Sequence, residues 1–148
     1  MTIFSNARLI DPEAGTETLG WLSVEDDRIT ATGTGSPPEG ETIDSGGKCL
    51  APGIVDIGVK VSEPGERHKE SFKSAGAAAA AGGVTTMVTR PDTTPAIDTP
   101  EVLEFVARRA SEAAPVRVLP MAALTKGRAV STLRSWDRAR NWRCRSFG

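Results

Sequence analysis

The sequence predicts an α/β chain in two parts, a short all-β segment followed by a strand–helix–strand–helix–strand unit. Three observations carry that prediction. Residues 54–62 (I-V-D-I-G-V-K-V-S) are β-branched and alternate in polarity. An alanine-rich run ends at Gly82-Gly83 and leads straight into V-T-T-M-V-T. Thr99-Pro100 opens a second helical stretch that Pro115 closes, and another apolar run follows. Strands separated by helical connections argue for parallel pairing through right-handed crossovers.

Composition bounds the rest. The chain has 148 residues, room for one ordinary domain. A net charge of −1 gives no field for nucleic acid or an anionic membrane. Aromatic residues are 5% and tyrosine is absent, which is thin for a core, so alanine and glycine must supply close contacts. Cys49 and Cys144 show neither metal spacing nor disulfide density, and a reducing cytoplasm is the expected setting. The start M-T-I-F-S-N-A-R does not read as a signal peptide. No apolar run approaches the ~20 residues of a membrane helix.

Residues 1–49 read as short strands at Ile3-Phe4, Leu9-Ile10, 21–25, 28–31 and 41–43. Asp26-Asp27 is a hairpin turn, and 33–40 (G-T-G-S-P-P-E-G) is a loop. Residues 50–128 form the α/β unit. In its first strand, 54–62, Val55, Ile57, Val59 and Val61 share one face; Asp56, Gly58, Lys60 and Ser62 share the other. Residues 68–81 read as a helix stopped by Gly82-Gly83, and 84–89 as a strand. Thr99 caps the second helix, whose stripe is Leu103, Val106, Ala107 and Ala110. Residues 116–122 are the third strand. Chemistry in such units sits in the loops after the strands, here 62–67, 89–98 and 122–128.

Residues 129–148 break the pattern. They hold five arginines and two tryptophans with no stripe and no alternation. A nucleic-acid or membrane-surface tail is one reading. The arginine and tryptophan content instead fits an unselected stretch, such as the product of a shifted reading frame, and the segment is expected to lie outside the fold.

The string L-A-P-G-I-V-D-I-x-V-x-V-x-E-P-G, then H-K-E-S-F-x-S-A-G-A-A-A-A-A-G-G-V-T-T, then P-x-T-x-P and V-R-V-L-P-M-A-A-L-T-K-G, resembles the start of a dihydroorotase. This is the cyclic-amidohydrolase branch of the amidohydrolase superfamily. The resemblance implies a (β/α)8 TIM-type barrel preceded by a small β-sandwich segment. Three strands of eight leave that barrel incomplete. It also implies zinc, and reversible ring closure of carbamoyl aspartate to dihydroorotate in pyrimidine biosynthesis.

The family carries two metal-binding histidines one residue apart, and here those positions are Gly58 and Lys60. Glycine has no ligand atom, and a lysine ammonium repels a divalent cation. The family's substrate-gripping arginine and asparagine fall on Ser62 and Asp92. Asp56 and Glu63 keep the family's type, with Pro64 and Gly65 beside them. The resemblance therefore implies a chain without catalytic residues or a metal centre of its own. Lys60 is expected to contact Asp56 in place of a metal, and Asp92 to repel an anionic substrate. Two readings stand beside this one for the full-length form: from another class, a non-catalytic structural partner of aspartate transcarbamoylase, or self-association; and a divergent active zinc cyclic amidohydrolase. With open edges, the isolated chain is expected to be marginally stable and aggregation-prone.

The remaining candidates have plainer readings. His68 reads as a surface or capping residue, and the A-G-A-A-A-A-A-G-G run as close packing rather than a phosphate loop. Asp98 reads as loop polarity or a helix cap, Lys126 as part of a turn, and Cys49 as a small buried hydrophobe.

Overall fold

A computed structural model describes residues 1–129. It divides into one unit spanning Met1–Pro52 and a second beginning at Gly53. The expectations placed on 130–148 lie outside the described residues.

The first unit is a sheet of five strands: β1 (Thr2–Asp11), β2 (Thr16–Glu25), β3 (Arg28–Gly33), β4 (Glu41–Asp44) and β5 (Cys49–Leu50). β1 is its hub. It pairs antiparallel with β2 on one side, and parallel with β4 and then β5 on the other. Two of the short runs expected near the N-terminus are one ten-residue strand, which carries a bulge between them: its pairing with β2 shifts register between Phe4 and Ala7, where Asn6 takes a φ of +49°. Asp26 and Asp27 both adopt positive φ, 48° and 60°, as the β2–β3 hairpin requires. Cys49 is an exposed free thiol, not a buried one: β5 lies at the sheet margin, where the described residues put no layer over its side chain.

In the second unit β6 (Ile54–Val59), β7 (Val84–Thr89) and β8 (Arg117–Pro120) form a parallel sheet in that order. Helices α1 (Phe72–Ala81) and α2 (Pro100–Ala113) are the two crossovers. The barrel is not closed: β6 and β8 are both edge strands among the described residues. Val61, Phe72, Ala75, Met87, Ile97, Val106 and Ala110 make the core. Val59 packs against it, but Val55 and Ile57 are 58% and 75% exposed, since the described residues put no second layer on that edge.

Local signals explain where the elements start and stop. α1 begins at Phe72 and not near His68, because Ser71 and Ser74 form a reciprocal capping box there. The preceding residues 66–69 instead make a tight turn, with Lys69 N–H donating to the Glu66 carbonyl at 2.8 Å. Thr99 caps α2, with Pro100 in its first turn. β6 stops at Val59 and not at 62, because its pairing with β7 slips a register between Ile57 and Val59 and leaves Gly58 as the extra residue.

The alanine–glycine run is packing material. A Cβ built on Gly76 would sit 2.7 Å from Pro115 Cδ and 3.0 Å from Ala114 Cβ. Gly76→Ala should destabilise the unit by about 1–2 kcal/mol through overpacking, despite alanine's better helix propensity. Urea denaturation read by circular dichroism checks this; a stabilised variant would show that the α1–α2 approach can relax.

Candidate functional site: the rim of the parallel sheet

The loops after β6, β7 and β8 are stitched to one another by the backbone. Arg90 N–H donates to the Val59 carbonyl at 2.9 Å, Met121 N–H to Thr89 at 2.9 Å, and Ala123 N–H to Ile97 at 2.7 Å. Thr94 N–H reaches the Pro64 carbonyl at 3.3 Å. At Gly65, where φ is +104°, a Cβ would lie 2.3 Å from the Thr94 carbonyl oxygen, so only glycine permits this approach. Asp98 does not cap α2; Thr99 does. The Asp98 carboxylate accepts instead from Gly127 N–H at 2.6 Å and ties the second loop to the third. Lys126 lies in a short 3-10 turn, Lys126–Arg128.

Glu63 sits beneath this rim with its side chain 5% exposed. Its Oε2 accepts from Phe72 N–H at 3.0 Å, a donor at the start of α1 that has no partner within the helix. Its Oε1 accepts from Arg109 Nε at 2.8 Å, and Arg67 Nε stands 3.7 Å away. Burial pushes the Glu63 carboxyl up; the Phe72 N–H and the Arg109 and Arg67 guanidiniums outweigh it and hold it below the ordinary range. This carboxylate therefore joins the β6 loop, α1 and α2, with both of its oxygens engaged.

A second charge group lies at the rim itself. Asp92 is buried, its side chain 8% exposed, with Lys60 Nζ 3.6 Å and Arg90 Nη2 3.4 Å from Oδ2. The expected Lys60–Asp56 contact is not what forms. Lys60 lies past the end of β6, after the register slip at Gly58, and its ammonium turns to the β7 loop; Asp56 is exposed in the strand. Nor does Asp92 present a bare negative charge, because two cations flank it. Ser62 is half-buried and contributes its carbonyl, which accepts from Glu66 N–H at 2.7 Å. His68 is exposed.

The family's metal does not fit these residues. Gly58 offers no donor and holds φ at +103°, a conformation that side-chain-bearing residues rarely adopt. Lys60 is an ammonium in an ion pair. Among the described residues no group of three His, Cys, Asp or Glu side chains is placed to share a cation.

Arg90, Arg109 and Thr89 are the residues that sequence reasoning passed over. R-P-D placed Arg90 two residues from Asp92, a spacing that lets both reach one point across a turn. Arg109 follows Val106 by three on the buried stripe of α2, where a charge needs a partner. Thr89 is 1% exposed, and its Oγ1 has no hydrogen-bond partner among the described residues; no pattern marked it.

Known proteins are similar to this chain in sequence and fold. The profile of the dihydro-orotase-like family matches residues 47–140. A dihydroorotase-like protein of Pseudomonas putida is 40% identical over 146 residues, 96% of this chain and 34% of its own length. A dihydroorotase of Solibacter usitatus is 37% identical over 128 residues, 86% of this chain and 30% of its own. The chain thus spans about a third of the length of such relatives. Among solved structures, the L-hydantoinase (dihydropyrimidinase) of Arthrobacter aurescens superposes with a TM-score of 0.74 at 25% identity, over 84% of this chain and 28% of that one. A crystal structure of a dihydroorotase superposes at 0.56 with 15% identity, over 85% and 32%, a likeness of fold. These neighbours are TIM-barrel amidohydrolases, and the five-element parallel unit is the corresponding part of such a barrel. With a family profile covering more than half of its residues, this chain is a member of the dihydro-orotase-like amidohydrolases.

Proposed function

We propose that the chain is a non-catalytic dihydroorotase-like protein that serves pyrimidine biosynthesis by association, with aspartate transcarbamoylase as the partner. One observation carries the loss of catalysis: the Lys60 ammonium, paired with Asp92, sits at one of the two positions where the family's reaction needs imidazoles. A zinc-bound water of pKa about 7 is the nucleophile such a centre supplies, and neither Gly58 nor Lys60 supports one. Retention of the fold without the ligands supports a scaffold role. The free Cys49 thiol is in keeping with a reducing cytoplasm.

The test uses the longest natural form of the protein. Dihydroorotate hydrolysis with added zinc should stay at the uncatalysed rate, and the protein should co-purify with aspartate transcarbamoylase. Turnover abolished by a chelator would replace this reading with a divergent zinc amidohydrolase that takes its ligands from elsewhere.

A further inference from the structure

The rim holds a carboxylate whose side chain is 8% exposed and which accepts no hydrogen bond among the described residues. Asp92 Oδ1 has no partner among the described residues. Oδ2 meets Lys60 Nζ and Arg90 Nη2 only at 3.6 and 3.4 Å, well beyond the ~2.7–2.9 Å of a charge-assisted hydrogen bond. Both cations are half exposed, at 59% and 50%, and neither forms another ion pair among the described residues. Lys60 also adds to the positive field around Glu66, which is itself paired with Lys69. The group therefore sets two accessible cations around one poorly satisfied anion.

We propose that Lys60 and Arg90 form a seat for the carboxylate of a small-molecule ligand, and that the chain's own Asp92 side chain fills this seat until such a ligand exchanges with it. The physical case is a comparison of two states. With Asp92 inside, a desolvated carboxylate forgoes its hydrogen bonds, a cost that water would remove. With Asp92 outside, two cations stand without a counter-ion. An external carboxylate, not tethered two residues from Arg90, aligns with the planar guanidinium fork and makes the short paired bonds that Asp92 does not. The seat calls on neither Gly58 nor Ser62 nor a metal, so it stands or falls separately from the proposed loss of catalysis.

The experiment titrates the full chain with malonate, inorganic phosphate or chloride at constant ionic strength, read by NMR at the Asp92 γ-carbon and the Arg90 Nε–H. Malonate should move both signals together and chloride neither. Phosphate binding tighter than malonate would overturn the carboxylate assignment. Asp92→Asn should bind malonate about tenfold more tightly if Asp92 fills the seat about nine-tenths of the time, since apparent affinity scales with the competent fraction. Arg90→Gln should abolish binding in either background. Malonate that shifts Arg90 while leaving Asp92 in place, unchanged affinity in Asp92→Asn, or binding that survives Arg90→Gln would each overturn the proposal. The wild-type titration decides even if a variant fails to fold.

Discussion

Replacing Glu63 by alanine should unfold the α/β unit at markedly lower urea, with a loss of about 3–5 kcal/mol. The substitution removes a carboxylate whose side chain is 5% exposed. It leaves Phe72 N–H without its acceptor and Arg109 without its partner. The penalty of the unpaired groups exceeds the modest net value of the bonds themselves, and it falls where the β6 loop, α1 and α2 meet. The loss must also depend on pH. The folded-state pKa of Glu63 is held below its ordinary 4.5, so its contribution is fully present above that value. It fades as pH falls from there through the lowered folded value. Urea midpoints of wild type and Glu63→Ala should therefore be far apart at neutral pH and converge in acid. A constant gap across that range would show that lost packing, not charge, accounts for the effect. Arg109→Met should destabilise in the same direction, because Glu63 would keep only Phe72 N–H and the more distant Arg67.

The double substitution Gly58→His with Lys60→His restores the family's residue types, yet it should not restore a zinc centre. A histidine at 58 inherits φ of +103° in the register slip of β6, at a cost of about 1–3 kcal/mol. Removing Lys60 also takes one of two cations from the buried Asp92. The expected result is a less stable chain without stoichiometric zinc after dialysis, measured by plasma mass spectrometry. Tight zinc binding at one equivalent would mean that β6 relaxes to an unbulged strand once the imidazoles are present. That outcome would make the substitutions at 58 and 60, rather than the backbone, the sole barrier to a metal.

Much of this fold was legible in the sequence because its signals are local. Thr99-Pro100 at the start of α2, the end of that helix just before Pro115, the Asp26-Asp27 hairpin and the V-T-T-M-V-T strand each follow from the residues on the spot. The rim was legible only in part. Period-two alternation places Asp56, Gly58, Lys60 and Ser62 on one face, but one bulged residue resets the count, and Lys60 finds its partner in another loop. The local sign of that slip was Gly58 itself, a glycine inside a strand pattern, which the alternation count passed over. The Glu63–Arg109 pair joins residues 46 apart. Its only forewarning was a charge on the apolar stripe of α2. The outward-facing Cys49 misled for the same reason: exposure depends on what covers a strand, and two residues of sequence do not say.

The strand connectivity carries a consequence for the order in which the two units can form during synthesis. In the α/β unit each strand pairs with the one before it through a single crossover, so β6–β7 can close before β8 leaves the ribosome, and the sheet grows by addition at one side. The N-terminal sheet runs the other way. Its hub, β1, is made first, but its second flank is filled by β4 and β5, so the ladder waits for Cys49-Leu50. Until then β1 and β2 form a hairpin with one side of β1 open. Of the strands in this sheet, the one made first is thus the last to be fully paired.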